Sequence, residues 1–223
     1  MGFTGVNIEE ATRNLDAFRE AREQIVDKLV NAQDKFGTDI VHNWSSPKAV
    51  EFASSYGDKM TDIFLKPQII LDGILEAAAF GVMEMARSNG VSFDASRYSA
   101  MPTGRMSGAN VLFSVKPEAP NGTVGMNTAE VKNAIATFSA DINDALALMD
   151  NLPREIALYD EKGALAATFD EKVANAKSSV NEIVSEVLSS INEKMATETE
   201  AIITGVQTSI EEMQSFFSNV PIK

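Results

Sequence analysis

The sequence predicts an all-α protein of long antiparallel helices, in which two helical hairpins form a four-helix-bundle-like or coiled-coil architecture. Apolar residues recur at alternating steps of three and four over most of the chain, the spacing of a helix packed lengthwise against another. Aromatic residues make up only 7% of the chain. Glycine and proline concentrate in one central segment, which separates two heptad-rich halves.

The first helix is predicted to begin after Asn7, whose side chain can cap it, and to end at Phe36. Its apolar positions form a seam sustained over about four heptads, which is typical of a helix that packs lengthwise against another. The seam consists of Ile8, Ala11, Leu15, Phe18, Ile25, Leu29, Ala32 and Phe36. Arg22 occupies the one position that breaks the series, and Gly37 is the expected left-handed terminator.

A second helix is predicted to begin at Ser46-Pro47, because a hydroxyl cap followed by proline at the first helical position is a strong start signal. Pro67 is expected to kink or interrupt this helix. The stretch Ile69–Ala86 is apolar on more than one side, which favours deep burial in the protein or against a partner. Asn89-Gly90 is the expected end.

Residues 91–127 have a different composition, rich in glycine, proline, serine and asparagine, with one short strand-like run at 110–115. We therefore divide the chain into a first helical hairpin with a tryptophan turn at 1–90, a Gly/Pro-rich connector at 91–127 and a second helical hairpin at 128–223.

The second hairpin is predicted to contain a helix that opens at Thr128 and is interrupted by Pro153. After Gly163 the apolar seam runs for roughly fifty residues, equivalent to about 75 Å of helix. Gly205 is the expected place for a bend in this very long last helix.

The net charge of −13 disfavours nucleic acids and anionic membranes as partners, because both require basic patches. Ile69–Ala86 is a poor membrane span, since Asp72, Glu76 and Glu84 interrupt it. A membrane role is therefore unlikely on sequence grounds. The chain contains no cysteine, which excludes disulfides and thiolate metal sites.

No catalytic constellation is found in the sequence, and the prediction is that the protein is not an enzyme and uses no cofactor or metal. His42 is the only histidine, and without a second histidine or any cysteine a zinc site is not expected. The serines lack an accompanying base or nucleophile-elbow motif. The central glycines do not form a phosphate-binding loop.

The turn between the first two helices contains Trp44, the only tryptophan, with Ser46 two residues later and Phe52 eight residues later. With these residues the turn resembles that of the WXG-type family, whose helical hairpins are exported by type VII secretion systems. This family places Trp-x-Gly in the turn between its two helices and an aromatic residue eight positions after the tryptophan. Ala49 also fits the family's alanine-containing pattern. The resemblance implies a turn that export machinery or a partner chain recognises.

The chain departs from this family at several positions. Ser46 stands where the family has glycine, and Glu161 stands where a second tryptophan would lie if Gly163 matched the motif glycine. The family's C-terminal tyrosine, followed four residues later by an acid, is missing. The resemblance therefore implies a tandem version that pairs its own two hairpins in place of a separate partner.

These observations predict a non-enzymatic helical-bundle protein that acts through protein–protein interaction, with a protein partner or secretion machinery and possible self-association. The expected localisation is secreted without a conventional signal peptide, and cytoplasmic before export, because residues 1–6 lack a basic region followed by an apolar run. Trp44 has two interpretations: a wedge that fixes the turn, or a docking residue.

Two alternatives remain open at the level of sequence. One is a self-assembling structural protein of a filament, a phage or a cell surface. The other is a pore-forming helical toxin, in which Ile69–Ala86 would leave the bundle.

Overall fold

A computed structural model describes residues 6–100, 125–160 and 163–218 and confirms the all-α class. The elements in chain order are helix α1 (Ile8–Asn43), strand β1 (Trp44–Ser45), helix α2 (Pro47–Ser88), 3-10 helix η1 (Ala95–Tyr98), strand β2 (Gly125–Met126), helix α3 (Thr128–Met149), 3-10 helix η2 (Arg154–Tyr159) and helix α4 (Ala164–Ser218).

The helices run along one common axis. The strands β1 and β2 pair antiparallel, so α3 begins beside the end of α1 and runs back along it. Helix α2 also runs back from this end, which we call the turn end. Helix α4 begins near the opposite end, where Phe169 contacts Phe18 edge-on at 6.3 Å. It then returns to the turn end beside α2, where Lys194 contacts Glu51.

The most extensive contacts run between the two halves of the chain. Helix α1 packs along α3, and α2 packs along α4, whereas α3 and α4 touch only sparingly. The buried side chains of all four helices form one continuous apolar core. The two sequence halves therefore complete each other's core within one chain.

The apolar seam of α1 is buried as the spacing predicted, from Ala11 through Phe36. The predicted caps are confirmed as well. Asn7 accepts hydrogen bonds from the backbone N–H groups of Glu9 and Glu10, and Ser46 accepts one from Ala49. Gly90 adopts a φ of +72° directly after the end of α2, which only glycine adopts without strain.

The prediction that Gly37 ends the first helix is wrong. Helix α1 continues to Asn43, with Gly37 buried inside it. A glycine in a helix interior costs only about 1 kcal/mol. Continuing the helix buries Ile40, one further position of the seam, and this gain outweighs the cost of the glycine.

Pro67 does not interrupt the second helix, which runs unbroken from Pro47 to Ser88. Proline removes one backbone hydrogen bond, but buried side chains on both sides of it hold the helix in place. Phe64 precedes Pro67 and Leu71 follows it, and both are fully buried. Gly205 likewise lies inside the unbroken α4.

The predicted connector is structured at its beginning. After α2 the chain forms η1, which packs against α2 and buries the Tyr98 ring. The backbone N–H of Ala100 donates a hydrogen bond of 2.6 Å to Glu76 Oε1. The strand predicted at 110–115 lies outside the described residues.

Arg22, which interrupts the predicted seam of α1, has a partner in α2. Its Nη1 lies 2.7 Å from Asp72 Oδ1, and both side chains are buried. Gln68 Nε2 donates to the other carboxylate oxygen at 3.3 Å. Burial lowers the pKa of Arg22, and the attraction of Asp72 opposes that shift. The seam is therefore continued across this position by a buried ion pair.

We expect Asp72→Ala to destabilise the protein by about 3 kcal/mol or more, because it leaves the Arg22 charge buried without its main partner. The double variant Arg22→Met/Asp72→Leu replaces both charges with apolar groups and should lose less than Asp72→Ala. Urea denaturation followed by circular dichroism measures both losses. A double variant that is as unstable as Asp72→Ala, or more so, would contradict this account.

Gly81 marks a close approach between α2 and η2. A Cβ atom placed on Gly81 would overlap the carbonyl oxygen of Tyr159, whereas one placed on Gly73, also in α2, would meet open space. The absence of a side chain at Gly81 therefore allows the backbone of η2 to lie directly on α2.

Gly81→Ala should consequently destabilise the protein by about 1–3 kcal/mol, because the backbone of η2 must move. Gly73→Ala is the matched control in the same helix and should stabilise it by up to about 1 kcal/mol through helix propensity. Thermal unfolding of the two variants compares them directly. Equal melting temperatures for the two would show that this contact is unimportant.

Candidate functional site

The turn that contains Trp44 is held by backbone pairing between the two halves. Trp44 is paired with Met126, and Ser45 with Gly125. The N–H of Asn127 donates a 2.8 Å hydrogen bond to the carbonyl of Asn43. These bonds fix the start of α3 against the end of α1.

The Trp44 side chain is fully buried within an aromatic cluster. Its ring stacks on Phe52 at 6.2 Å, and Phe52 meets Phe36 edge-on at 6.4 Å. Phe36 in turn stacks on Phe138 of α3 at 4.4 Å. The cluster therefore joins α1, β1, α2 and α3 at the turn end.

The structure brings together the three residues selected from the sequence. Trp44 contacts Phe52, and Ser46 caps the helix that carries Phe52. All three are buried. This placement favours the wedge interpretation of Trp44, because a partner could contact the indole only after the turn had opened.

Trp44→Ala should destabilise the protein by about 3–5 kcal/mol, since it leaves a cavity inside the aromatic cluster. Trp44→Phe keeps part of the stacking on Phe52 and should lose clearly less. Chemical denaturation monitored by circular dichroism measures both. An alanine variant as stable as the parent would show that the indole does not support the turn.

An exposed ionic cluster fastens α4 to the start of α2. The Glu51 carboxylate accepts hydrogen bonds from Lys194 at 2.7 Å and from Lys48 at 2.9 Å. These two ammonium groups lower the pKa of Glu51 to about 2. Just beyond this cluster, α4 leaves the bundle.

The last part of α4 projects beyond the turn end. Met195 is the last buried residue among those of α4 whose burial the structure describes, and every residue from Glu200 to Ser215 is exposed. Residues 200–218, which we call the projecting helix, extend for about 27 Å at 1.5 Å per residue. The sequence predicted the length of α4, but it did not predict that the end of this helix would project beyond the bundle.

The projecting helix carries large aliphatic side chains on one side only. They are Ile202, Ile203, Val206, Ile210 and Met213, with 43–55% of each side chain exposed. At 3.6 residues per turn they fall within an arc of about 100°. We call these five residues the apolar stripe. It continues the face through which α4 packs on α2 inside the bundle.

The flanks of the apolar stripe carry one charge, that of Glu200, which lies beside Ile203 at the root groove. Gln207 borders it on one side and Ser209 on the other, whereas Glu211 points to the opposite side of the helix. The sequence has no lysine or arginine between Lys194 and Lys223. Apolar packing is therefore the main interaction that the middle of this stripe offers a partner.

A groove opens at the root of the projecting helix, between α4 and the start of α3. Met195, Thr199 and Ile203 line one wall, and Thr128 and Lys132 line the other. The groove lies at the same end of the bundle as the Trp44 turn, and it leads directly onto the apolar stripe.

Among the described residues, no group of three or more histidine, cysteine, aspartate or glutamate side chains could hold a metal ion. His42 is exposed, and its Nδ1 lies 2.9 Å from the carbonyl of Thr38 in the preceding turn. No helix in these ranges has an apolar stretch long enough to cross a membrane.

Comparison of the chain with protein-family models, with curated proteins and with solved structures finds no match. The surface of the projecting helix is therefore the main guide to function. It differs from the Trp44 turn in being accessible without any rearrangement of the core.

Proposed function

We propose that this chain is a non-enzymatic, exported helical-bundle protein, similar to tandem WXG-type substrates of type VII secretion, that acts through protein–protein interaction. The observation that carries this proposal is the apolar stripe on the projecting helix. Five large aliphatic side chains exposed along one helix face form a patch of the kind that marks interaction sites.

The pairing of the two halves supports the tandem part of the proposal. Because α1 packs on α3 and α2 packs on α4, the long amphipathic faces of the bundle already cover one another. The bundle requires no second hairpin from another chain to complete its core. An interaction with a partner is then left to a surface outside the core.

In the proposed mechanism the bundle presents the projecting helix to a partner. The bundle anchors α4 through its buried seam and through the Glu51 cluster, so that the projecting helix is held in a fixed direction. A partner then binds the apolar stripe without having to open the bundle. In this mechanism Trp44 is a structural residue that supports the turn beside the root groove.

Export from a bacterium that carries a type VII secretion system tests this proposal. Val206→Glu/Ile210→Glu places two charges in the apolar stripe, outside the core, and should reduce the secreted amount at least about tenfold because burying a charge is costly. Ala201→Glu/Thr208→Glu adds the same charge on the opposite face and should be exported normally.

One further strain and one measurement of folding complete this experiment. A strain without the secretion ATPase should retain the parent protein in the cell. Circular dichroism and thermal unfolding should be the same for the two double variants, since all four positions are exposed. Export that continues without the ATPase, or that is equal for the two double variants, would contradict the proposed function.

A further inference from the structure

We infer that the second half of the chain, residues 125–160 and 163–218, acquires its fold only by docking on the first half, residues 6–100, and that the first half also accepts a second half from another copy of this chain. The docking surface is the apolar face that α1 and α2 form together. This inference goes beyond the proposed function, because it concerns how the two halves recognise each other and does not require export.

The first half has buried contacts of its own. Arg22 in α1 and Asp72 in α2 form a buried ion pair at 2.7 Å. Near the turn, the Trp44 ring stacks on that of Phe52. After α2, the helix η1 packs back against α2 and buries the Tyr98 ring. These contacts hold α1 against α2 without any residue of the second half.

The two long helices of the second half lack comparable contacts with each other. Helices α3 and α4 touch only sparingly, and at the turn end the root groove lies between them. Among the described residues, no buried ion pair or ring contact joins α3 to α4. Near η2 the pairs of Lys177 with Asp150 and of Arg154 with Asp170 are exposed, and exposed pairs contribute only about 0–1 kcal/mol each.

Each long helix of the second half is instead seated on the first half. Phe138 of α3 stacks on Phe36 of α1 at 4.4 Å. Phe169 of α4 meets Phe18 of α1 edge-on at 6.3 Å, and the buried seam of α4 packs along α2. Without the first half these apolar faces would be exposed to water. Isolated helices are only marginally stable in water, so the second half would then lose its structure.

The segment between α3 and α4 also rests on the first half. The Nδ2 of Asn14 donates a 2.8 Å hydrogen bond to the Tyr159 hydroxyl oxygen. The carbonyl oxygen of Tyr159 lies on Gly81 of α2, where a side chain would overlap it. Residue Tyr159 of η2 is therefore positioned by α1 and α2 rather than by its neighbours in the second half.

Recognition between the halves does not depend on which chain supplies each half. The contacts at Phe18, Phe36 and Gly81 are non-covalent and involve only described residues of the two halves. Joining the halves raises their local concentration, which favours pairing within one chain over pairing between chains. A cut between residues 100 and 125 removes this preference and leaves the contacting residues unchanged.

The test uses the full-length protein with a recognition sequence for a specific protease inserted between residues 100 and 125. After cleavage we expect the halves to remain together as one species close to the 24.1 kDa mass of the intact chain. Size exclusion with light scattering measures this mass. Two separate species after cleavage would overturn the inference.

Exchange of halves between copies is measured on the same cut protein. A sample labelled with heavy nitrogen is mixed with an unlabelled sample, unfolded in urea and refolded by dilution. Native mass spectrometry should then find pairs of one labelled and one unlabelled half as often as pairs with matching labels. The absence of mixed pairs, or a failure of the halves to pair again, would overturn the inference.

A matched pair of variants locates the docking surface. Phe138→Glu places a charge against Phe36 and should raise the dissociation constant of the cut halves by at least about 100-fold. Ala136→Glu adds the same charge on the exposed side of α3 and should leave that constant unchanged. Equal dissociation constants for the two variants would overturn the proposed surface.

The dependence of the second half on the first is measured after release. The second half released by Phe138→Glu should lose most of its helical circular dichroism signal, because its apolar faces are no longer covered. A released second half that keeps this signal and unfolds cooperatively would show that it folds alone, and would overturn the inference.

The outcomes separate this inference from the proposed function. Halves that pair after cleavage, in a protein whose export is independent of the apolar stripe, would overturn the proposed function alone. Halves that separate after cleavage, in a protein whose export requires the stripe, would overturn this inference alone.

Discussion

The pairing between the two halves of the chain is the contact on which the remaining structure depends. It begins at two short strands, where Trp44 and Ser45 meet Gly125 and Met126. The pairing of these strands fixes where α3 begins along the length of α1. That position brings Phe138 of α3 level with Phe36 of α1, and their rings stack. A shift in this pairing would move the apolar faces of both halves out of register.

Two further contacts fix how α2 is placed against its neighbours. One is the buried ion pair of Arg22 and Asp72, and the other is the close approach of η2 at Gly81. The ion pair has directional requirements, so it sets how α1 and α2 face each other along their length. Gly81 allows η2 to rest on α2 near the beginning of α4. Apolar seams alone tolerate sliding of one helix along another, and these two contacts limit it.

Periodicity predicted most of the fold, because a seam such as that of α1 depends only on local spacing. It could not predict which helices pair, since α2 and α3 offer equivalent apolar faces to α1. Gly37 does not end α1 because the burial of Ile40 outweighs a local preference, and α2 continues through Pro67 to the buried Leu71. Trp44, Ser46 and Phe52 were found from their spacing in the sequence. The exposure of the projecting helix could not be found in this way, because it depends on where the other helices end in the folded bundle.

The pairing of α1 with α3 and of α2 with α4 also governs how the chain reaches its folded state. Residues such as Phe36 and Phe138 contact each other across about a hundred positions, and closing such long loops slows folding relative to a bundle of local hairpins. During synthesis the first half is complete before α3 exists. For that interval the seam of α1 has only α2 to cover it, and chaperone binding at this stage would protect the nascent chain from aggregation.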